Sequence, residues 1–457
     1  MQYEDLKHVR KSLGGPGQVV VIDNGALITA EADAMLQALH SRSIGGIDAH
    51  LMRLAKKGAK EFMDTYYVGY GDKSIGDCGT ATIFVEGVSM LAAKAIQDFQ
   101  LYNGQESSTR YIDFSKQSFF DSSNSDTGKS LLESLRAFHL KGLERMKEEL
   151  KKRHPRQEGE EEKVWEKAIK ARAFDVMRSF LPAGAATNLS WHGELRQFAD
   201  HLARLRNHPL EEVRHIAEVA RKALQEMYPS SFNQKFYPAT EEYTRNWMEK
   251  TYYFDGDAGE VNLEWDGIDR TLLSEYGYLD ILSGRGIKTE PPKYLAECGT
   301  MRFSYLLDFG SFRDQQRHRA LIQRMPLLTD RHGFEEWYLE QMPEDLKLEA
   351  AAFLGSYENA IAKLGLSPLM KQYLIPMGYK VACRNSGDIP AYMWFVELRS
   401  KIDVHPTLRA KAQKVGNKIV DEFGSYGLTI HIDESPDRFN YKRGHQDIVE
   451  KQPTLLQ

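Results

Sequence analysis

The sequence predicts a mixed α and β protein built from two tandem copies of one domain. Three observations carry this. The 457 residues are too many for one typical domain and suit two or three. A β-branched run shares the chain with several stretches of helical apolar spacing. Short motifs of the first half also recur in order in the second. Cys78-Gly79-Thr80 returns as Cys298-Gly299-Thr300, and Leu181-Pro182 as Ile375-Pro376. Leu205-Arg206 with His208-Pro209 returns as Leu398-Arg399 with His405-Pro406. The period is far longer than a solenoid repeat, so it reads as a fusion of two domains of ordinary size. The expected division is a first copy over 1–235, a linker over 236–262 and a second copy over 263–457.

Along the chain, Gln18-Val19-Val20-Val21-Ile22 reads as a strand leading into the turn Asp23-Asn24-Gly25. Thr29 is placed to cap a helix through Leu36 and Leu39. Leu51, Leu54 and Phe62 mark a second helix over about 48–63, and the Ala, Val, Leu and Met of 82–97 read as a buried helix. Residues 143–172, charge-rich and broken by Pro155 and Gly159, read as a solvated surface loop between two helices. Leu202, Leu205 and Val213 continue helical spacing after Pro182, and Asp255-Gly256-Asp257-Ala258-Gly259 marks a turn at the boundary between the halves.

Composition narrows the functional classes. Hydrophobic residues make up 42% and charged residues 27%, enough to bury a core. A net charge of −5 gives no global attraction to nucleic acid or an anionic membrane, so an anionic ligand needs a local arginine cluster. Three widely spaced cysteines, Cys78, Cys298 and Cys383, indicate neither a disulfide framework nor a metal knuckle. The polar start and the absence of a roughly 20-residue apolar run predict a cytoplasmic protein with no membrane partner. The acidic balance and the lack of a recognised motif predict no nucleic-acid partner, and the cysteine spacing no metal.

Two segments carry candidate chemistry. Gln105-Glu106-Ser107-Ser108-Thr109-Arg110-Tyr111 joins a carboxylate, hydroxyls and a guanidinium, groups that grip a phosphate. Alone, it equally describes a polar loop or helix cap. Arg317-His318-Arg319 is a cationic nest for a diphosphate or an electron-rich ring, or a solvated helix face.

Together these segments resemble the two parts of the signature R-H-R-x-x-S-x-N-E-x-S-x-R-Y of flavin-dependent thymidylate synthases. Gly71-Asp72-Lys73-Ser74-Ile75-Gly76-Asp77-Cys78 resembles that family's G-H-x-S-x-x-E-H, and Thr82 to Ser89 its T-F-x-I-E-G-I-S. Arg178-Ser179-Phe180-Leu181-Pro182 is similar to its R-x-x-L-P, and Arg196 falls where the family places an arginine on the flavin. The second half matches through Arg317-His318-Arg319, Ile375-Pro376 and Leu398-Arg399. The departures are complementary. The first copy has Asp98-Phe99-Gln100 in place of R-H-R, and the second has Arg324 to Asp330 in place of the rest of the signature. Gln372 stands for the arginine before L-P, Asp72 and Cys78 for two histidines, Glu194 for an asparagine and Asp314 for a glutamine.

The resemblance implies an α/β (α+β) fold, helix-rich around small sheets, in a long tandem-duplicated form with one composite site. It implies an FAD-dependent enzyme that methylates deoxyuridine monophosphate to thymidylate, with NADPH and methylenetetrahydrofolate as co-substrates. Arg317, His318, Arg319, Arg196 and Ser74 would contact the flavin. Gln105, Glu106, Ser108, Arg110 and Arg178 would contact the nucleotide, and Arg206 or Arg399 its base. Arg399 would stabilise charge on the pyrimidine, Glu106 would orient the pyrimidine or a water, and Ser108 and Arg317 would meet at one ligand pair. Two chains would form a homodimer equivalent to a tetramer. Another pyrimidine acceptor, or an inactive nucleotide- or flavin-binding relative, remains open from the sequence.

Overall fold

The computed structural model describes residues 8–15, 17–22, 25, 28–40, 46–65, 73–109, 112–233 and 235–436. The chain forms two compact units. The first comprises Met1–Ile112, Gln117–Phe120 and Gly184–Tyr252; the second comprises Asp113–Lys116, Asp121–Ala183 and Tyr253–Gln457. Both are antiparallel sheets with helices around them, an α+β architecture.

The first unit holds a five-stranded sheet in the order His8–Gly14, Gly17–Ile22, Thr80–Ser89, Ala186–Glu194, Asn103–Glu106. The strand Gly17–Ile22 and the helix Ala30–His40 follow the expected local signals, and the Thr29 hydroxyl accepts from Ala32 N–H at 3.2 Å as a cap. The second expected helix is Gly46–Lys57, which Gly58 ends with a positive φ of 68°.

The reading of 82–97 as one helix is corrected. Thr80–Ser89 is a strand and only Met90–Gln97 is helical. Ala81, Ile83 and Val85 are buried while Thr82, Phe84 and Glu86 are less so, the period of a strand. Pairing on both sides then secures a β-branched segment. Ser89 switches the chain to helix, its hydroxyl accepting from Ala92 N–H at 3.0 Å. All eight residues of Met90–Gln97 are buried, Lys94 among them.

The edge strand Asn103–Glu106 depends on Gly104. A Cβ there would sit 1.9 Å from the Ser190 carbonyl oxygen, to which the Tyr102 hydroxyl also donates at 2.6 Å. Gly104→Ala is expected to cost about 1–3 kcal/mol through this overlap. The cost is read as a lower urea midpoint, and an unchanged midpoint would contradict the close approach.

The second unit is built on the sheet Asn262–Asp266, Thr300–Asp308, Lys380–Asp388, Ile322–Gln323, with a parallel pair of Tyr253–Phe254 and Met325–Pro326. The surface loop expected at 143–172 is also corrected. The helices Asp126–Arg153 and Glu162–Met177 cover most of it, and only the connection around Pro155 and Gly159 is irregular. Leu135, Phe138, His139, Gly142, Met146 and Leu150 bury one face of the longer helix. Its charges lie outward in pairs such as Lys147–Glu144 and Arg153–Glu149, so charge density marked an amphipathic surface rather than a loop. Pro238–Thr251, inside the segment read as a linker, forms a helix with Pro238 in its first turn.

Candidate functional site

Arg178 follows the helix Glu162–Met177 directly, in the short 3-10 turn Arg178–Phe180, and its side chain is buried in the second unit. Its Nη2 donates to Ser311 Oγ at 3.4 Å, while its Nε has no hydrogen-bond partner among the described residues. Burial alone lowers the guanidinium's pKa. Tyr338, Asp175, Asp314 and Asp308 outweigh it and hold Arg178 above the usual arginine range, firmly charged.

Arg317, His318 and Arg319 occupy the turn after the helix Phe309–Gln315. Gln323 Nε2 fixes that turn by donating to the carbonyls of His318 at 3.0 Å and Gln315 at 3.1 Å. Arg399, the last residue of the helix Ile389–Arg399, donates through Nε to His318 Nε2 at 2.6 Å and through Nη2 to the Asp314 carbonyl at 2.9 Å. His318 therefore presents a lone pair at Nε2. Burial, then Arg399, keep the ring neutral by pushing its pKa well below the usual value. Its Nδ1 is buried without a partner among the described residues. Arg317 is partly exposed, with Nε 3.8 Å from Asp314 Oδ1.

Asp314 stands among these cations. Burial raises its carboxyl, but Arg178, Arg317, Arg399 and Arg313 together hold it below the ordinary carboxylate range. Arg178, Arg317, His318 and Arg399 are thus brought together around one carboxylate. Arg319 lies half-buried in the same turn. The orphaned nitrogens of Arg178 and His318, with the excess of guanidinium over carboxylate, fit an anionic group such as a phosphate or a cofactor diphosphate.

The other sequence-predicted residues belong to the first unit. Ser74 lies in the 3-10 turn Lys73–Asp77, which Arg196 reaches by pairing its Nε with Asp77 Oδ1 at 2.5 Å. Gln105 and Ser108 are exposed, and Arg110 lies outside the described residues. Glu106 is buried, its Oε2 2.8 Å from Lys94 Nζ and accepting from Gln97 Nε2 at 3.0 Å. Arg206 forms a two-pronged pair with Glu241 over the Phe236 ring, so its fork is committed. Arg399 keeps no such carboxylate clamp. Burial, and then the Asp77, Asp33 and Glu194 carboxylates, raise the Cys78 thiol, which keeps it protonated. Among the described residues no group of three or more metal-type side chains could hold a metal ion, and no helix is long and apolar enough to cross a membrane.

Residues 27–230 match the profile of the family described as thymidylate synthase complementing protein. This part of the chain is similar to that family. The match includes Arg178 and stops short of Arg317-His318-Arg319. Over nearly its whole length the chain is similar to proteins named UPF0159. That of Chlamydia muridarum is 25% identical, covering 93% of each chain. That of Thermoplasma acidophilum is 24% identical, covering 87% of this chain and 93% of the relative. The family points to a thymidylate synthase-like enzyme of nucleotide biosynthesis.

Sequence reasoning singled out the arginines but missed the groups that hold them. Asp314 stood out only as a departure from a pattern, and Lys94 was hidden in an apolar helix.

Proposed function

We propose that the protein is an FAD-dependent enzyme that reductively methylates deoxyuridine monophosphate to thymidylate, at a composite site shared by two fused copies. The observation that carries this is the grouping of Arg178, from the family-matched half, with Arg317, His318 and Arg399, from the other half, around Asp314. Duplication is supported by recurring element order. In each half a 3-10 turn, a strand and a helix (Lys73–Asp77, Thr80–Ser89, Met90–Gln97; Lys293–Cys298, Thr300–Asp308, Phe309–Gln315) precede a second 3-10 turn. A strand and two helices follow it (Ala186–Glu194, Leu195–Leu205, Glu211–Met227; Lys380–Asp388, Ile389–Arg399, Pro406–Phe423).

In this reading Arg317, His318 and Arg319 hold FAD, with Arg196 and Ser74 as further flavin contacts. FAD, when bound, supplies the hydride, with NADPH and methylenetetrahydrofolate as co-substrates. Arg178 binds the nucleotide phosphate, and Gln105, Ser108 and Arg110 supply further nucleotide contacts. Arg399 is preferred over Arg206 at the base because Arg206 is spent on Glu241. Its guanidinium, oriented by His318 and the Asp314 carbonyl, is preorganised to stabilise negative charge on the pyrimidine. Glu106 is tied to Lys94, and its part is to fix the strand end that leads to Ser108. A cytoplasmic homodimer completes the reading.

Purified protein should be yellow and should release tritium from 5-tritiated deoxyuridine monophosphate with methylenetetrahydrofolate and NADPH. Arg317→Ala should lose the flavin, because a charge-assisted contact to its diphosphate disappears. Stoichiometric FAD in that variant would remove the assignment. Colourless wild-type protein that still binds the nucleotide would indicate a binding protein instead.

A further inference from the structure

His405 is a buried histidine whose two ring nitrogens both face hydrogen-bond acceptors. It caps the helix Pro406–Phe423 in the second unit. Its Nδ1 lies 2.9 Å from Thr407 Oγ1 and 3.3 Å from Ser311 Oγ, and its Nε2 lies 3.3 Å from the carbonyl oxygen of Asp175. A neutral imidazole carries a single N–H and can donate on one side only.

The neighbouring hydroxyls cannot supply the missing proton freely. Thr407 has one proton, and the 2.6 Å contact places it on Asp308 Oδ1. The same carboxylate accepts from Tyr338 O–H at 2.7 Å and Ser311 N–H at 2.8 Å. Toward His405, therefore, Thr407 offers lone pairs. With the proton on Nδ1, the Nε2 lone pair faces a carbonyl oxygen. With the proton on Nε2, the Nδ1 lone pair faces Thr407, and only the more distant Ser311 hydroxyl can serve it. The imidazolium alone donates in both directions.

Burial, with charge second, keeps the ring neutral despite this fit. Burial comes first, and Arg178 second, in pushing His405 well below the ordinary histidine pKa; Arg172 acts the same way and Asp175 opposes them. Tyr338 and Trp337 close the remaining side with rings 5.5 Å and 5.0 Å from the imidazole. Ser311 joins Arg178 to the imidazole, its Oγ accepting from Arg178 while touching Thr407 at 2.7 Å and His405. The guanidinium that opposes a charge on His405 is the one that an incoming anion would neutralise.

We propose that an anion bound at Arg178 draws a proton onto His405, which then locks Thr407, Ser311 and Arg178 in their bound arrangement. His405 is in this sense a positioning residue, coupling nucleotide binding to proton uptake. The inference rests on the reading of Arg178 as the phosphate-binding arginine.

The test is isothermal titration of the full-length protein with deoxyuridine monophosphate at neutral pH, in two buffers of different ionisation enthalpy. The expected result is net uptake of a measurable fraction of a proton per site. The nucleotide phosphate, with a second pKa of about 6, can only release protons at a cationic site, so uptake has the opposite sign. His405→Gln should abolish uptake while binding weakens less than tenfold. Thr407→Val, which removes the acceptor facing Nδ1, should lower uptake as well, and serves where His405→Gln fails to fold. Binding with no uptake, or uptake that survives both substitutions, overturns the coupling while the anion-site reading stands. Absence of nucleotide binding by the unmodified protein overturns that reading and the coupling together.

Discussion

Lys94→Met is expected to destabilise the first unit by about 3–5 kcal/mol, the usual cost of breaking a buried ion pair. Lys94 and Glu106 side chains are 1% and 2% exposed and lie 2.8 Å apart, with Gln97 bonded to both. Methionine fits the volume of the lysine stem but removes the ammonium from a carboxylate that water cannot reach. The loss would appear as a lower denaturant midpoint with an unchanged slope. Pairing the change with Glu106→Leu should restore much of the stability, because two buried apolar groups replace two buried charges. If Lys94→Met alone is neutral, the pair is hydrated and Glu106 is free for another role.

Local rules read well where the signal itself is local. Thr29 capped its helix and the Val19 to Ile22 strand formed because turn chemistry and β-branching act over a few residues. The misreadings have physical causes too. Thr80–Ser89 is as apolar as a buried helix, and what made it a strand is pairing with Gly17–Ile22 and Ala186–Glu194, both distant in sequence. The charges of 143–172 were legible as charges, but their helical spacing decided the structure.

The same division runs through the candidate site. The arginines stood out as motifs, since guanidinium chemistry is visible in a sequence. Their counter-ion was not visible. Asp314 is one carboxylate among 65 acidic residues, and its importance lies in Arg178 and Arg399 approaching it from remote segments. Asp308, Thr407 and His405 are ordinary residues whose donors and acceptors matter only once the fold links them in one chain of contacts.

Arg178→Ala should reduce nucleotide affinity by roughly 30-fold to several thousand-fold, while flavin binding persists. The range corresponds to the roughly 2–5 kcal/mol typical for truncating one member of a buried, hydrogen-bonded charge pair. Arg178 is held firmly charged by Tyr338, Asp175, Asp314 and Asp308, and its Nε has no partner among the described residues, so it is charged and incompletely satisfied before a ligand arrives. Removing it takes away the cation that contributes most to holding Asp314 ionised, so the carboxyl of Asp314 rises toward protonation as well. Arg178→Lys should recover little, because an ammonium cannot reproduce a planar fork toward a phosphate. Equilibrium titration with deoxyuridine monophosphate, beside the flavin absorbance and a thermal melt, separates the outcomes. Loss of nucleotide with retained flavin and melting point supports a phosphate contact. Simultaneous loss of all three would make Arg178 a folding residue, and unchanged affinity would place the phosphate elsewhere.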